Sequence, residues 1–149
     1  GVGLVGSEMC IRDRYMDDSD IFIGCAAVSD FKPSKYSDKK IKKDDISNID
    51  LGLKKNKDIL SFVASNFISA YVVGFAAETD NVDTNAKKKL EAKNLDMIVS
   101  NDVSDKSIGF DVDDNEVNVY TKNNKFFLKK DKKIRIAREV LKIVASNIN

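Results

Sequence analysis

Three apolar runs, each followed by small or polar residues, dominate the hydrophobic pattern of the chain. They are residues 21–28, 71–77 and 97–99. Because these runs are apolar without alternation, they predict strands covered on both faces, as in a parallel sheet. The second run is predicted to be the central strand on which the site is built. It contains Gly74 and two alanines and is followed directly by Glu78 and Thr79. Ligands of open α/β sheets bind at the carboxyl ends of the strands, so a site is expected there.

Helical periodicity fills the gaps between these strands. Asn56 is predicted to cap a first helix that contains Asp58 in its first turn, a second helix covers residues 85–94, and a third opens at Asp131. The residues predicted to face inward are Ile59, Leu60, Val63, Phe67 and Ile68 in the first, Ala86 and Leu90 in the second, and Ile134, Ala137, Leu141, Val144 and Ile148 in the third. Strands alternating with helices predict a right-handed βαβαβ unit.

Strict alternation begins only in the last third of the chain. Residues 116–120 alternate, residues 122–125 give a turn signal, and residues 126–128 are apolar again. This pattern predicts an antiparallel hairpin at one edge of the sheet. The predicted fold class is therefore α/β, with a mainly parallel sheet and an antiparallel C-terminal hairpin.

Composition narrows the classes of function. The chain has 149 residues, of which 42% are hydrophobic and 33% charged, and these values exclude a disordered class. A net charge of +1 gives no global reason to bind nucleic acid, and no apolar run is long enough to span a membrane. The absence of His excludes His-based triads and His-ligated metals, which leaves Lys, Asp, Glu, Asn, backbone amides or Mg²⁺. Two cysteines without metal-ligand spacing indicate a reducing, cytoplasmic setting.

The first fourteen residues differ from the rest. Residues 7–14 look like a translated sequencing adapter, so residues 1–14 are predicted to be non-native. The domain proper is then expected to begin near Tyr15, with its upstream part missing.

Charged side chains near the predicted strand ends are the first candidates for chemistry. Asp30 could bind a ribose hydroxyl, a base amino group or Mg²⁺, or could cap a turn. Lys40, in the loop of residues 34–48, and Lys89 with Lys93 suit a polyphosphate, because each ammonium is a compact donor. Lys89 and Lys93 share a helix face, being four residues apart. The alternative for each lysine is an ordinary solvated surface.

Two further stretches have both a functional and a structural interpretation. Phe75 could stack on a base or belong to the core, and Asn101 with Asp102 could orient a substrate or make a turn.

The joint order of these motifs resembles the bacterial phosphopantothenate–cysteine ligase, the synthetase part of a bifunctional decarboxylase/ligase of coenzyme A biosynthesis. The matching stretches are residues 26–33, 40–43, 53–60, 73–79 and 93–104. The resemblance implies that residues 15–149 are the C-terminal part of the ligase domain, folded as a Rossmann-like three-layer αβα sandwich. It also implies a homodimer joined through the arm of residues 34–48.

The same resemblance implies a reaction and its participants. CTP would activate the carboxylate of 4'-phosphopantothenate as an acyl-cytidylate with Mg²⁺, and the amine of cysteine would then displace CMP. The implied catalytic residue is Lys40, and Asn101 and Asp102 would contact substrate. The implied nucleotide contacts are Gly24, Cys25, Ala26, Asp30, Lys40, Lys57, Asp58, Ile59, Leu60, Phe75, Lys89 and Lys93. No metal ligands are assigned, and a chain without its upstream part is expected to be inactive or impaired.

Two other classes remain open at this point. The sheet pattern permits an NAD(P)-binding Rossmann oxidoreductase fragment, although no G-x-G-x-x-G follows a strand. A non-catalytic regulatory or dimerisation module is the second alternative.

Overall fold

The structure is a computed structural model that describes residues 14–37, 39, 50–104 and 112–148. Within these ranges the strands are β1 (Ile21–Gly24), β2 (Phe31–Pro33), β3 (Leu53–Lys55), β4 (Tyr71–Glu78), β5 (Met97–Asp102), β6 (Asp114–Thr121) and β7 (Lys125–Lys132). The α-helices are α1 (Ile59–Asn66), α2 (Val82–Ala92) and α3 (Lys133–Asn147), and a 3₁₀ turn covers Met16–Asp18.

A five-stranded sheet in the order β1-β4-β5-β6-β7 forms the centre of the molecule. Strands β1, β4 and β5 are parallel, whereas β6 and β7 join them antiparallel as a hairpin. Helices α1 and α2 contribute to the core on one face of the sheet, and α3 packs on the other face. The predicted three-layer α/β fold with an antiparallel C-terminal hairpin is therefore confirmed.

Burial is deepest in the two central parallel strands, as expected for strands covered on both faces. Val73 in β4 and Met97 in β5 are fully buried. Strand β1 differs, because Ile21 and Ile23 are 41% and 38% exposed and only Phe22 is buried between them. The prediction that β1 is covered on both faces is wrong for the described residues, in which β1 lies at an edge of the sheet.

The predicted strand over residues 21–28 is also too long. It ends at Gly24, and a turn closed by Val28 N–H donating to Ala26 O (3.0 Å) follows. Pro33 leaves the main sheet as expected and lies in β2, which pairs only with β3 among the described residues.

The N-cap of the first helix lies two residues later than predicted. Asp58, not Asn56, is the N-cap, because its carboxylate accepts a hydrogen bond from Ser61 N–H (3.1 Å). The helix ends at Asn66, so Ile68 lies beyond it and is 91% exposed instead of facing the core.

Helix α3 presents a different face to the sheet from the predicted one. It begins at Lys133 because β7 continues through Asp131 to Lys132. The buried residues are Ile136, Val140 and Val144, while Ile134, Ala137, Leu141 and Ile148 are exposed. Of the predicted stripe only Val144 is buried, since the helix has two apolar stripes at helical spacing and the other one contacts the sheet.

The start of α2 is tied to the C-terminal hairpin. Asn81 adopts a left-handed conformation (φ 48°) as N-cap, and the helix begins at Val82 instead of at residue 85. Asp83 in its first turn accepts hydrogen bonds from Tyr120 Oη and from Lys125 Nζ, the latter at 2.6 Å. The hydrogen bonds from Lys125 and then from Tyr120 lower the pKa of Asp83 below its ordinary value of 3.8.

We expect Asp83→Asn to lower stability at pH 6 and to have a progressively smaller effect as the pH falls below 3.8. A carboxyl whose pKa is lower in the folded state stabilises it above the unfolded pKa of 3.8, and this contribution is lost as the pH falls through the lower folded value. Melting temperatures of both proteins between pH 6 and pH 2 test this, with Asp50→Asn as an exposed control. A difference that stays constant over this range would contradict the assignment.

Candidate functional site

A cavity of about 640 Å³ opens at the carboxyl ends of β1 and β4. Its volume is in the range of small-molecule sites. It lies between the loop that follows β1, the start of α1 and the last turn of α2. Its described lining is Phe22, Gly24, Ala26, Ala27, Val28, Ser29, Asp30, Phe31, Lys55, Asn56, Lys57, Asp58, Ile59, Leu60, Phe75, Lys89, Lys93, Leu95 and Ile98.

Two paired glycines let helix α1 approach the sheet at the cavity. Gly24 of β1 and Gly74 of β4 are partners in the sheet register. A Cβ on Gly24 would lie 2.8 Å from Leu60 Cδ2, and one on Gly74 would lie 3.2 Å from Leu60 Cδ1. Leu60 therefore packs over both positions, and a side chain at either glycine would have to displace it.

Asn56 holds the loop after β1 against the start of α1. Its backbone N–H donates to Asp30 O (2.8 Å) and its side-chain Nδ2 donates to Ser29 O (2.6 Å). The residue is buried, so these hydrogen bonds are shielded from water. Asp30 is thereby placed at the cavity although its strand ended six residues earlier.

The described lining of the cavity favours an anionic ligand. Four lysines (Lys55, Lys57, Lys89 and Lys93) line it against two aspartates, Asp30 and Asp58. Several ammonium groups around one concave surface raise the local concentration of anions and can follow phosphate oxygens.

Two of these lysines are held by carboxylates. Lys93 Nζ lies 2.9 Å from Asp58 Oδ2, and Lys89 Nζ lies 2.5 Å from Glu78 Oε1. Burial acts to raise the pKa of Asp58, but the hydrogen bond from Ser61 N–H and the interaction with Lys93 outweigh it and leave the pKa below 3.8. Asp58 is thus ionised at neutral pH and fixes Lys93 beside the first turn of α1.

Most residues predicted for the nucleotide site line this one cavity. They are Gly24, Ala26, Asp30, Lys57, Asp58, Ile59, Leu60, Phe75, Lys89 and Lys93. Cys25 is exposed and is not part of the described lining. The roles of these residues stay predictions, although their meeting at one cavity agrees with the expected convergence of strand ends.

Two further predicted site residues are not part of the described lining, and the predicted catalytic residue falls outside the described residues. Asn101 and Asp102 are the last residues of β5, paired with Ala77 and Glu78, and lie outside the described lining. Lys40, the predicted catalytic residue, falls outside the described residues, as does most of the arm of residues 34–48. No cluster of three potential metal ligands occurs in the part of the chain that the structure describes.

The sequence interpretation missed the contributions of Lys55 and Asn56. Asn56 was predicted only as a helix cap, whereas it clamps a loop twenty-six or more residues away. A single Asn between lysines carries no periodic signal, so only through-space contacts reveal this function.

The family-model comparison matches residues 7–148 to the DNA/pantothenate metabolism flavoprotein C-terminal domain. The chain belongs to this family.

Bacterial relatives of this flavoprotein-family chain are named for coenzyme A biosynthesis. This chain is 39% identical over 127 residues to the coenzyme A biosynthesis bifunctional protein CoaBC of Vibrio vulnificus (strain YJ016). The match covers 84% of this chain and 32% of that protein. The protein of the same name from Haemophilus influenzae is 44% identical over 124 residues, covering 83% of this chain and 30% of the relative. The chain thus spans about a third of the length of these relatives.

Solved structures of the family have the same fold. The C-terminal domain of a CoaBC protein superposes with a TM-score of 0.72 at 29% identity, covering 93% of this chain and 59% of that one. A DNA/pantothenate metabolism flavoprotein from Streptococcus pneumoniae gives a TM-score of 0.70 at 22% identity, with 95% and 67% covered, and supports the fold alone.

These comparisons correct the predicted identity. The matching family and one superposed structure are named as flavoproteins, whereas the sequence interpretation named a CTP- and Mg²⁺-dependent phosphopantothenate–cysteine ligase. The ligase activity, the acyl-cytidylate, and the assignment of CTP and Mg²⁺ are therefore withdrawn. The relation to coenzyme A biosynthesis is retained, and the oxidoreductase alternative gains no support.

No described helix combines the length and the apolar content that a membrane span requires.

Proposed function

We propose that this chain supplies a nucleotide-binding pocket to a flavoprotein of coenzyme A biosynthesis. The observation that carries the proposal is the cavity at the strand ends, whose described lining includes four lysines and the exposed Phe75. The flavoprotein name of the family makes flavin mononucleotide the first ligand to test. A flavin-dependent step replaces the CTP-dependent ligation as the reaction that this name supports.

The residues present fit a phosphate-bearing nucleotide. Lys89 and Lys93 would hold the phosphate, since both residues belong to the described cavity lining and their ammonium groups are held by carboxylates. Phe75, 43% exposed, and Leu60 offer apolar surface to a planar ring. Asp30 offers an acceptor to hydroxyl or N–H groups. When bound, a flavin would accept and return electrons, and the residues named here would bind and orient it.

Thermal shifts with three ligands test the proposal. Flavin mononucleotide is expected to raise the melting temperature, because a ligand that binds only the folded state must stabilise it. Riboflavin, which lacks the phosphate, is expected to give a smaller shift at equal concentration. CTP serves as the comparator nucleotide. A shift with CTP and none with flavin mononucleotide would overturn the flavin assignment, and no shift with any of the three would overturn nucleotide binding.

The partners proposed for the chain are small molecules of coenzyme A biosynthesis, in keeping with the names of its relatives. The homodimer and the cytoplasmic location remain predictions, and both are tested by expressing the chain and measuring its mass in solution and its cellular fraction.

A further inference from the structure

Glu78, the last residue of β4, lies behind one of the cavity lysines. Its Oε1 is 2.5 Å from Lys89 Nζ, and its Oε2 accepts a hydrogen bond from Asn85 Nδ2 (3.3 Å). The Glu78 side chain is only 11% exposed, while that of Lys89 is 46% exposed. Lys89 belongs to the described cavity lining and Glu78 does not, so the carboxylate that holds the ammonium is not itself a lining group.

This arrangement limits the motion of Lys89 without using all of its donors. An ammonium has three N–H groups, and the contact with Glu78 occupies one of them. The remaining donors can reach oxygen atoms of an anion in the cavity. A lysine side chain otherwise loses much rotamer freedom when it binds a ligand, and a fixed ammonium has less freedom to lose.

Asn85 restrains the Glu78 carboxylate through its hydrogen bond to Oε2. Its Nδ2 also donates to Asp80 O (2.9 Å), which ties the first turns of α2 to the loop after β4. One carboxylate oxygen of Glu78, Oε2, is therefore held by Asn85 in α2, while the other, Oε1, holds Lys89 in the same helix.

We propose that Glu78 is a positioning residue that presents Lys89 to the phosphate of the bound ligand. The proposal rests on the proposed nucleotide binding and deepens it. Glu78 acts on the phosphate-binding part of the affinity alone and has no contact with the ring of the ligand.

Glu78→Gln tests this in the full chain, because the amide has the same shape but lacks the charge that holds Lys89. We expect the affinity for flavin mononucleotide, measured by calorimetry, to fall about fivefold, and the affinity for riboflavin to stay unchanged. A structural defect in the variant would lower the affinity for both ligands. Glu91→Gln removes the same charge from an exposed position of helix α2 and serves as the control.

A double-mutant cycle with Lys89→Ala provides the second test. If Glu78 acts through Lys89, Glu78→Gln has no further effect on flavin mononucleotide once Lys89 is alanine. Additive losses, or tighter binding by Glu78→Gln, would overturn the proposal. If the unmutated chain binds flavin mononucleotide no better than riboflavin, the phosphate site of the proposed function fails instead.

Discussion

Replacing both Lys89 and Lys93 by alanine is expected to weaken flavin mononucleotide binding about 100-fold. A hydrogen bond to a charged group contributes about 1.5–3 kcal/mol, and partial exposure of these side chains places each near the lower limit. Two losses of about 1.4 kcal/mol correspond to two factors of ten. Calorimetric titration measures the affinities for flavin mononucleotide and for riboflavin. Only the affinity for the phosphate-bearing flavin mononucleotide should fall.

The matched control for this variant lies on the same helix. Lys87 and Lys88 are exposed residues of α2 that are absent from the described cavity lining. Their double replacement by alanine removes the same net charge and should change the affinity far less. Equal losses in the two variants would mean that the general field of the helix, and not the cavity lysines, attracts the phosphate.

Leu95→Ala is expected to lower the free energy of unfolding by about 2–5 kcal/mol. Leu95 is 1% exposed and packs under the cavity, where its Cδ1 lies 2.9 Å from the position of a Cβ on Gly74. Gly74→Ala alone is expected to lower the free energy of unfolding by about 1–3 kcal/mol, because the added methyl group would crowd the buried Leu95, which has little room to move. Urea denaturation of each variant gives both values.

Combining the two substitutions sharpens this prediction. In the double variant, the alanine methyl at position 74 occupies space left by the shortened residue 95, so the total cost should be smaller than the sum by about 1 kcal/mol. Val140→Ala, on the opposite face of the sheet, replaces Leu95→Ala in the control pair and should be additive with Gly74→Ala. Additive costs for the adjacent pair would show that the two positions do not share packing space.

The sheet could be predicted because its signal is local. Continuous apolar runs identified β4 and β5 as covered strands, and alternation identified the β6–β7 hairpin. The same reasoning overextended β1, since residues 26–28 are small or apolar but line a cavity outside the strand. Small and apolar residues that line a cavity therefore have the same sequence pattern as residues of a buried strand.

The candidate site was predicted in part. Charged residues after strand ends were expected to converge, and Asp30, Phe75, Lys89 and Lys93 do line one cavity. The ligand identity inferred from the resemblance was corrected by the family comparison, because lysines around a cavity do not distinguish one nucleotide from another. Glu78 was noted for its position at a strand end, but its pairing with Lys89 joins residues from two elements.

By itself, the sequence determined the order along the chain of the helices and of the strands in the five-stranded sheet, and that this sheet is mainly parallel, because these properties depend on periodicity and on short connections. Only the tertiary structure decided which stripe of α3 is buried, that Asp58 and not Asn56 caps α1, and which carboxylate holds each lysine. The physical reason is that the local sequence allows both alternatives in each case. Either apolar stripe of α3 could face the sheet, and either Asn56 or Asp58 could cap α1. Packing against the sheet selects one of them through contacts between residues far apart in the chain.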